Sequence, residues 1–192
     1  MQAQQTRAAV LSAARVLFAE RGWAATGVRD VAAAAGVSVE TVYATVGGKV
    51  ALLSTALDGA VVGDDEPVPL AERPMFRAMG EGGFTQRAAA AAALVTDIHV
   101  RTIGLQLALR EAAGGEPELA AQLARQEENR RVSTTEGMRL VLRRPPTDRE
   151  RDLFWAQTCP EVFDALVHRS RWTTDDYAAW VASLITTLER QP

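Results

Sequence analysis

Few side chains in this sequence are spaced for chemistry. His99 and His168 stand 69 residues apart with no His, Cys or Glu at ligand spacing beside them, so neither a metal nor a cofactor is expected. Cys159 is the single cysteine, which excludes an internal disulfide, and Pro160 beside it marks a helix start rather than a nucleophile. Glu127-Glu128 and Asp175-Asp176 suit a solvated helix face and a first-turn charge pair better than acid–base catalysis. The run Gly80-Glu81-Gly82-Gly83 does not lie between a strand and a helix, so it is no phosphate cradle. No enzymatic activity is expected. What remains is the segment 28–45, where small, turn-forming and hydroxyl-bearing residues succeed one another at fixed spacing: Ala32, Gly36, Ser38, Thr41 and Val42.

That spacing fits a helix-turn-helix. Two crossing helices approach closely, so the position facing the partner must be small, and Ala32 meets this need. The turn needs a residue that accepts positive φ, and Gly36 does so at no steric cost. Val42 then packs the second helix against the first. Such a second helix, opening at Ser38, would present Val39, Glu40 and Thr41 to base edges in a major groove. Thr41 can donate to a base or a phosphate and offers a methyl to thymine. Glu40 can accept from cytosine N4, or can stabilise the positive end of its helix without touching DNA. Thr26, Arg29, Tyr43, Thr45 and Lys49 carry the chemistry of phosphate contacts, and Lys49 opens a helix whose first N–H groups would also face an anion. An αα-hairpin that binds nothing has the same small-residue spacing, and Arg29 as a solvated surface charge fits equally.

The neighbouring residues carry a resemblance. Leu17, Phe18, Glu20, Gly22 and Trp23, then Thr26, Val28, Val31-Ala32, Ala35-Gly36-Val37-Ser38, Thr41-Val42-Tyr43, Lys49 and Leu52 together resemble the N-terminal DNA-binding domain of the tetracycline-repressor (TetR) family. The resemblance covers about a quarter of the chain, and departs where Val46 replaces the usual Phe and Gly48 a commoner Ser or Asn. Further on, Trp155, Pro160-Glu161-Val162, Trp172-Thr173, Tyr177 and Trp180 look like one subgroup of that family. The resemblance implies a homodimeric transcriptional regulator, usually a repressor. It would sit on a palindromic double-stranded operator and leave it when a small-molecule effector binds the C-terminal domain. The alternatives are an all-α small-molecule carrier or enzyme whose helix-turn-helix is only a structural corner, and a constitutive DNA binder whose second domain only dimerises.

The elements that must position these residues are helical. Of 192 residues 35 are Ala, the best helix former, and β-branched and aromatic residues never cluster in alternating runs. An all-α fold of nine or ten helices is expected: a three-helix DNA-binding domain over residues 1–63 and a helical ligand-binding and dimerisation domain over 64–192. Gly and Pro punctuate the chain into helices over 6–21, 28–35, 39–45, 49–62, 70–79, 85–113, 117–142, 147–158, 160–169 and 174–190. Thr147 with Glu150 forms a capping box, and the acidic, proline-bearing stretch 63–70 is the linker candidate. Residues 1–54 carry a balance of +2 against −5 for the remainder, which permits a nucleic-acid-binding head without establishing one. No apolar run approaches the ~20 residues of a membrane span and no signal peptide is expected, so a cytoplasmic protein off the membrane is the simplest reading.

In the second half, two sets of residues have candidate roles. Met75, Phe76, Met79, Phe84, His99, Ile103, Gln106 and Trp155 combine bulk with polar tips and are candidates to line an effector site, His99 and Gln106 lying on nearly one helix face. Phe154, Phe163, Leu166, Tyr177, Val181, Leu184, Ile185 and Leu188 give the last helices more apolar surface than one small core needs, which suits an intermolecular four-helix bundle. Their other reading is an intramolecular core.

Overall fold

A computed structural model describes residues 2–63 and 68–189. Among them all regular structure is helical. The helices are α1 (Gln2–Arg21), α2 (Val28–Ala35), α3 (Val39–Thr45), α4 (Lys49–Val62), α5 (Pro74–Arg77), α6 (Phe84–Ala113), α7 (Pro117–Leu142), α8 (Asp148–Gln157), α9 (Pro160–Phe163) and α10 (Thr174–Glu189). The amphipathic piece expected at 70–79 is α5 flanked by single 3₁₀ turns, Leu70–Glu72 and Ala78–Gly80, because Pro74 interrupts the ladder. Pro160 starts α9, which runs on as a π-helical stretch, Asp164–Arg169. Residues 64–67 of the expected linker, and the expected domain boundary after residue 63, lie outside the described residues, as does Arg190.

The chain divides into two compact units, Met1–Asp65 with Arg101–Arg125, and Glu66–Val100 with Gln126–Pro192. The first unit is built on α1, whose residues Val10, Ala14, Leu17 and Phe18 recur at helical spacing and are buried. Against them pack Val31 and Ala32 of α2, Val42 of α3, Leu52, Leu53, Ala56 and Leu57 of α4, and Leu105, Ala108 and Leu109 from the last part of α6. Gly104 marks where α6 meets α1. A Cβ there would lie 2.7 Å from the Cα of Ala19, so only glycine allows the approach.

Polar groups tie the same elements. Arg101 Nε donates to the Ala60 carbonyl at 3.0 Å at the end of α4, where a cation also suits the helix dipole. The Glu111 carboxylate accepts the backbone N–H groups of Trp23 and Ala24 at 2.8 and 3.1 Å, satisfying the loop that leaves α1. Ser54 of α4 donates to the Gln122 carbonyl oxygen of α7.

The second unit has its own interior. α10 packs on α8 and on the π-helical stretch. Phe163 and Tyr177 are fully buried with their rings edge to face at 4.9 Å. The capping box of α8 forms as expected, Thr147 Oγ1 accepting from Glu150 N–H and the Glu150 carboxylate accepting from Thr147 N–H at 2.7 Å. Arg144 donates to both Glu150 oxygens, and this paired guanidinium, with the cap, draws the Glu150 pKa down to about 2. Arg139, Arg143, Arg144 and Gly80 line an open cleft of about 630 Å³ at the end of α7. Arg143 points its guanidinium at the Gly80 and Gly82 carbonyls of the segment before α6, and Arg87 donates both to Gly82 and to Val141, the latter a carbonyl at the C-terminal end of α7.

α6 is long and apolar enough to cross a membrane by length and composition, contrary to the reading of the sequence by apolar runs. Half of that stretch is buried inside the protein, and α6 is a core helix.

Candidate nucleic-acid interface

The turn between α2 and α3 is made as its residues dictate. Gly36 adopts φ 66°, ψ 32°, and its N–H and that of Val37 close on the carbonyls at the end of α2. No atom lies within 4 Å of where a Cβ would be, so Gly36 is required for its backbone angle and not for space. Ala32 of α2 and Val42 of α3 are both buried in the one core that the first helices share, which holds α3 to it.

Ser38 caps α3 by accepting the Thr41 N–H at 3.2 Å, and the Ser38 and Thr41 hydroxyls lie 3.1 Å apart. Glu40 is exposed, and its own backbone N–H and the Ser38 hydroxyl hold its carboxyl below the usual carboxylate range. In the free protein, then, Glu40 serves the positive end of α3. Val39 is half-buried against the core, Thr41 half-exposed, and Tyr43 is 57% exposed. The first turn of α3 therefore offers hydroxyls and one carboxylate to solvent on a helix whose opposite side is fixed.

The residues expected at phosphates divide. Arg29 is exposed on α2. Lys49 stands at the first turn of α4, where Gly48 supplies no side-chain cap, and its ammonium lies 4.1 Å over the Trp23 ring, itself stacked on Phe18. Thr45 turns its hydroxyl back to the Thr41 carbonyl at 2.7 Å. Thr26 needs correction. It is 1% exposed and its hydroxyl is aimed at the Leu17 and Gly22 carbonyls, so its side chain closes the end of α1 instead of facing a phosphate. Reading the sequence missed Arg7, which donates from α1 to the Thr45 carbonyl at 2.9 Å and so braces the C-terminal end of α3. It also missed Glu111. Both act across more than 35 residues of chain, and no local spacing announces them.

The candidate effector residues also separate. Met75 is 43% exposed and lines no interior. Phe76 and Met79 are buried, Met79 lying where a side chain at Gly137 would be. Phe84 is half-buried with the Arg87 guanidinium 5.9 Å from its ring. Ile103 and Gln106 belong to the first unit, Gln106 accepting from Arg110, whereas His99 belongs to the second. His99 is 5% exposed, stacks on Phe163 at 5.1 Å and holds the Thr158 carbonyl through Nε2 at 2.9 Å. Burial pushes its pKa down to about 4, with the Arg130 charge adding to the shift and the Thr158 carbonyl opposing it. The guanidinium groups of Arg130 and Arg131 both lie over the Trp155 ring, 4.4 and 4.5 Å from its centroid.

Of the residues expected between subunits, Phe154, Phe163, Tyr177, Val181, Ile185 and Leu188 are buried within the single chain. The stripe on α10 faces α8 and the π-helical stretch of its own chain, so these six belong to the core. Leu166 and Leu184 stay partly exposed, as does Trp180, whose ring meets Trp172 at 6.4 Å.

Comparison with known proteins agrees with this geometry. Residues 10–56 match the family model of bacterial regulatory proteins, tetR family. Among curated proteins none matches the sequence. The whole chain resembles a solved structure described as a TetR-family transcriptional regulator from Mesorhizobium loti MAFF303099, with TM-score 0.71, 15% identity, and 98% of this chain and 96% of that one covered. A second, from Rhodococcus sp. and described as of the same family, gives 0.65 at 22% identity over 96% and 98%. A transcriptional regulator from Rhodococcus sp. Rha1 gives 0.63 at 16% over the full length of both. At these identities the likeness is one of fold. Residues 10–56 thus match the tetR-family domain, on a chain whose fold is like that of solved structures described as TetR-family transcriptional regulators.

Proposed function

We propose that the protein is a DNA-binding transcriptional regulator, acting as a homodimeric repressor that leaves a palindromic double-stranded operator when a small-molecule effector binds its C-terminal part. The observation that carries this reading is α3 itself. It is capped by Ser38, braced at its far end by Arg7 and sealed by Val42, and so presents Thr41 and Glu40 on a fixed helix start. Arg29, Tyr43 and Lys49, with the uncapped N–H groups opening α4, are the proposed phosphate contacts. The proposed division of labour places DNA binding in residues 1–63 and effector binding and dimerisation in 64–192, in the cytoplasm. No catalytic step belongs to this proposed function.

The test is binding of the full chain to a duplex selected from a random-sequence library, followed across a salt series. A regulator of this type should lose affinity steeply and log-linearly with salt, and should retain preference for the selected duplex over bulk DNA. Equal, salt-insensitive affinity for every duplex would leave the helix-turn-helix as a corner of the fold.

A further inference from the structure

The interior of the second unit holds polar atoms that the protein leaves unpaired. His99 Nδ1 and Tyr177 Oη are buried without a hydrogen-bond partner, as are Gln126 Oε1, Arg130 Nε and Trp155 Nε1. Buried polar atoms normally find partners, and each failure carries a desolvation cost, so several in one neighbourhood call for an occupant. They do share a neighbourhood. The His99 and Tyr177 rings lie 5.9 Å apart around Phe163, the Arg130 charge is close enough to act on both, Arg130 covers Trp155 at 4.4 Å, and Gln126 stands one helical turn before Arg130 on α7.

The unpaired atoms specify chemistry. The Thr158 carbonyl can only accept, so His99 Nε2 carries the proton, and the neutral ring turns a lone pair outward at Nδ1. His99 Nδ1 and Gln126 Oε1 therefore need donors, while Arg130 Nε–H and Trp155 Nε1–H need an acceptor. Tyr177 can serve either. The rings of Phe163, Tyr177 and Trp155 surround these atoms with aromatic carbon, packed on one another and on Arg130 in the ligand-free chain, and this is the apolar wall a ligand body would meet.

Resting on the regulator reading above, we infer that the effector is a small aromatic compound with a carboxylate or amide oxygen at one edge and a hydroxyl at another, held at Arg130, Trp155, Tyr177, His99 and Gln126. Water alone would fill the same hydrogen bonds without selecting a ring, which the experiment separates.

The full chain is titrated by calorimetry with the three hydroxybenzoates and three hydroxybenzamides, with toluene, benzoate and benzamide as controls. At least one hydroxylated isomer should bind ten or more times tighter than toluene and than its unhydroxylated counterpart. The acid and amide arms distinguish recognition of charge by Arg130 from recognition of a carbonyl dipole. His99→Phe and Tyr177→Phe should each weaken that isomer about tenfold or more, the loss of one buried hydrogen bond to ligand. Tyr177→Phe without ligand should unfold at no lower temperature than the parent, because an unpaired hydroxyl has been removed. Gln126→Leu, at a half-buried position, gives the same reading if either ring variant misfolds. Failure of all six isomers, equal binding of toluene, or unchanged affinity in the variants overturns the inference. Because calorimetry needs no DNA, such a result leaves the regulator reading standing. That reading fails separately if the parent shows no salt-dependent duplex binding.

Discussion

At the scale of single residues, the candidate interface separates groups that read sequence from groups that fix position. Thr41→Ala should cost about 1–3 kcal/mol on the selected duplex and little on bulk DNA, since only base-edge contacts discriminate. Lys49→Ala should weaken all duplexes alike and lower the salt slope by about 1, whereas Tyr43→Ala should weaken them without changing the slope, because it removes no charge. Competition binding at three salt concentrations tells these apart. His99 gives a second prediction at this scale. Its folded pKa of about 4 lies below the ordinary value of 6.5, so the unfolded chain takes up the proton first as pH falls. The neutral ring's contribution is full above pH 6.5 and is lost between there and pH 4, on the order of 3 kcal/mol across the window. Urea unfolding at pH 7.5, 5.5 and 4.5 should show this slope, and His99→Phe should abolish its His99 part. The polar residues also show what spacing conceals. Thr26 and Lys49 look alike to a reading that counts donors, yet Thr26 spends its hydroxyl on the end of α1 while Lys49 lies over an aromatic face.

At the scale of elements, the helices were legible because Gly22, Gly36, Gly63 and Pro160 end or begin them for local reasons. The capping box at Thr147 was legible for the same reason, both partners lying within one turn. What an apolar stripe faces is not a local property. Tyr177, Val181, Ile185 and Leu188 mark α10 as buried on one side, and the period cannot say whether a neighbouring helix or a second subunit covers it. The structure gives that side to the chain's own core, while Leu166, Val167, Trp172, Trp180 and Leu184 are among the apolar residues of this region that stay at least partly exposed. A homodimer formed through α10 would use Trp180 and Leu184, its large partly exposed apolar residues. Leu184→Arg should then shift the sedimentation coefficient to that of a monomer and leave the unfolding midpoint within a few degrees of the parent. A Val181→Arg variant should instead fail to fold, because Val181 is fully buried. A dimer unaffected by Leu184→Arg would move the interface off α10.

At the scale of the whole molecule, α6 matters most. It runs unbroken from Phe84 to Ala113, and its last part belongs to the same compact unit as the helix-turn-helix. Emptying an operator by ~1,000-fold needs about 4 kcal/mol of coupling between effector and DNA, which only contacts that differ between two states can supply. The Glu111 carboxylate on the loop after α1, and Arg101 on the end of α4, are polar ties that α6 makes to the head. Glu111→Ala should raise amide exchange at Trp23 and Ala24 by at least tenfold with little change in α2, and should reduce DNA affinity. Hydrogen-exchange NMR reads the first effect and a binding assay the second. Unchanged protection at both amides would show that the carboxylate is not what orders the loop.

The seam at Gly104 bears on the genetics of the protein. Any single-codon change there adds a side chain against the Ala19 backbone, so this interior helical position should be nearly intolerant of replacement, although Ala is ordinarily the better helix former. The crowding involves two Ala19 backbone atoms and its Cβ at 2.7 Å, and only the Cβ can be deleted. Selection for restored function in a Gly104→Ala background should therefore return few intragenic suppressors at position 19 itself. It should return more among small-to-smaller changes that let α1 shift as a body, at Ala14 or Ala108 in the shared core. A suppressor screen dominated by Ala19→Gly would mean that the methyl, and not the backbone, sets how near the two helices can come.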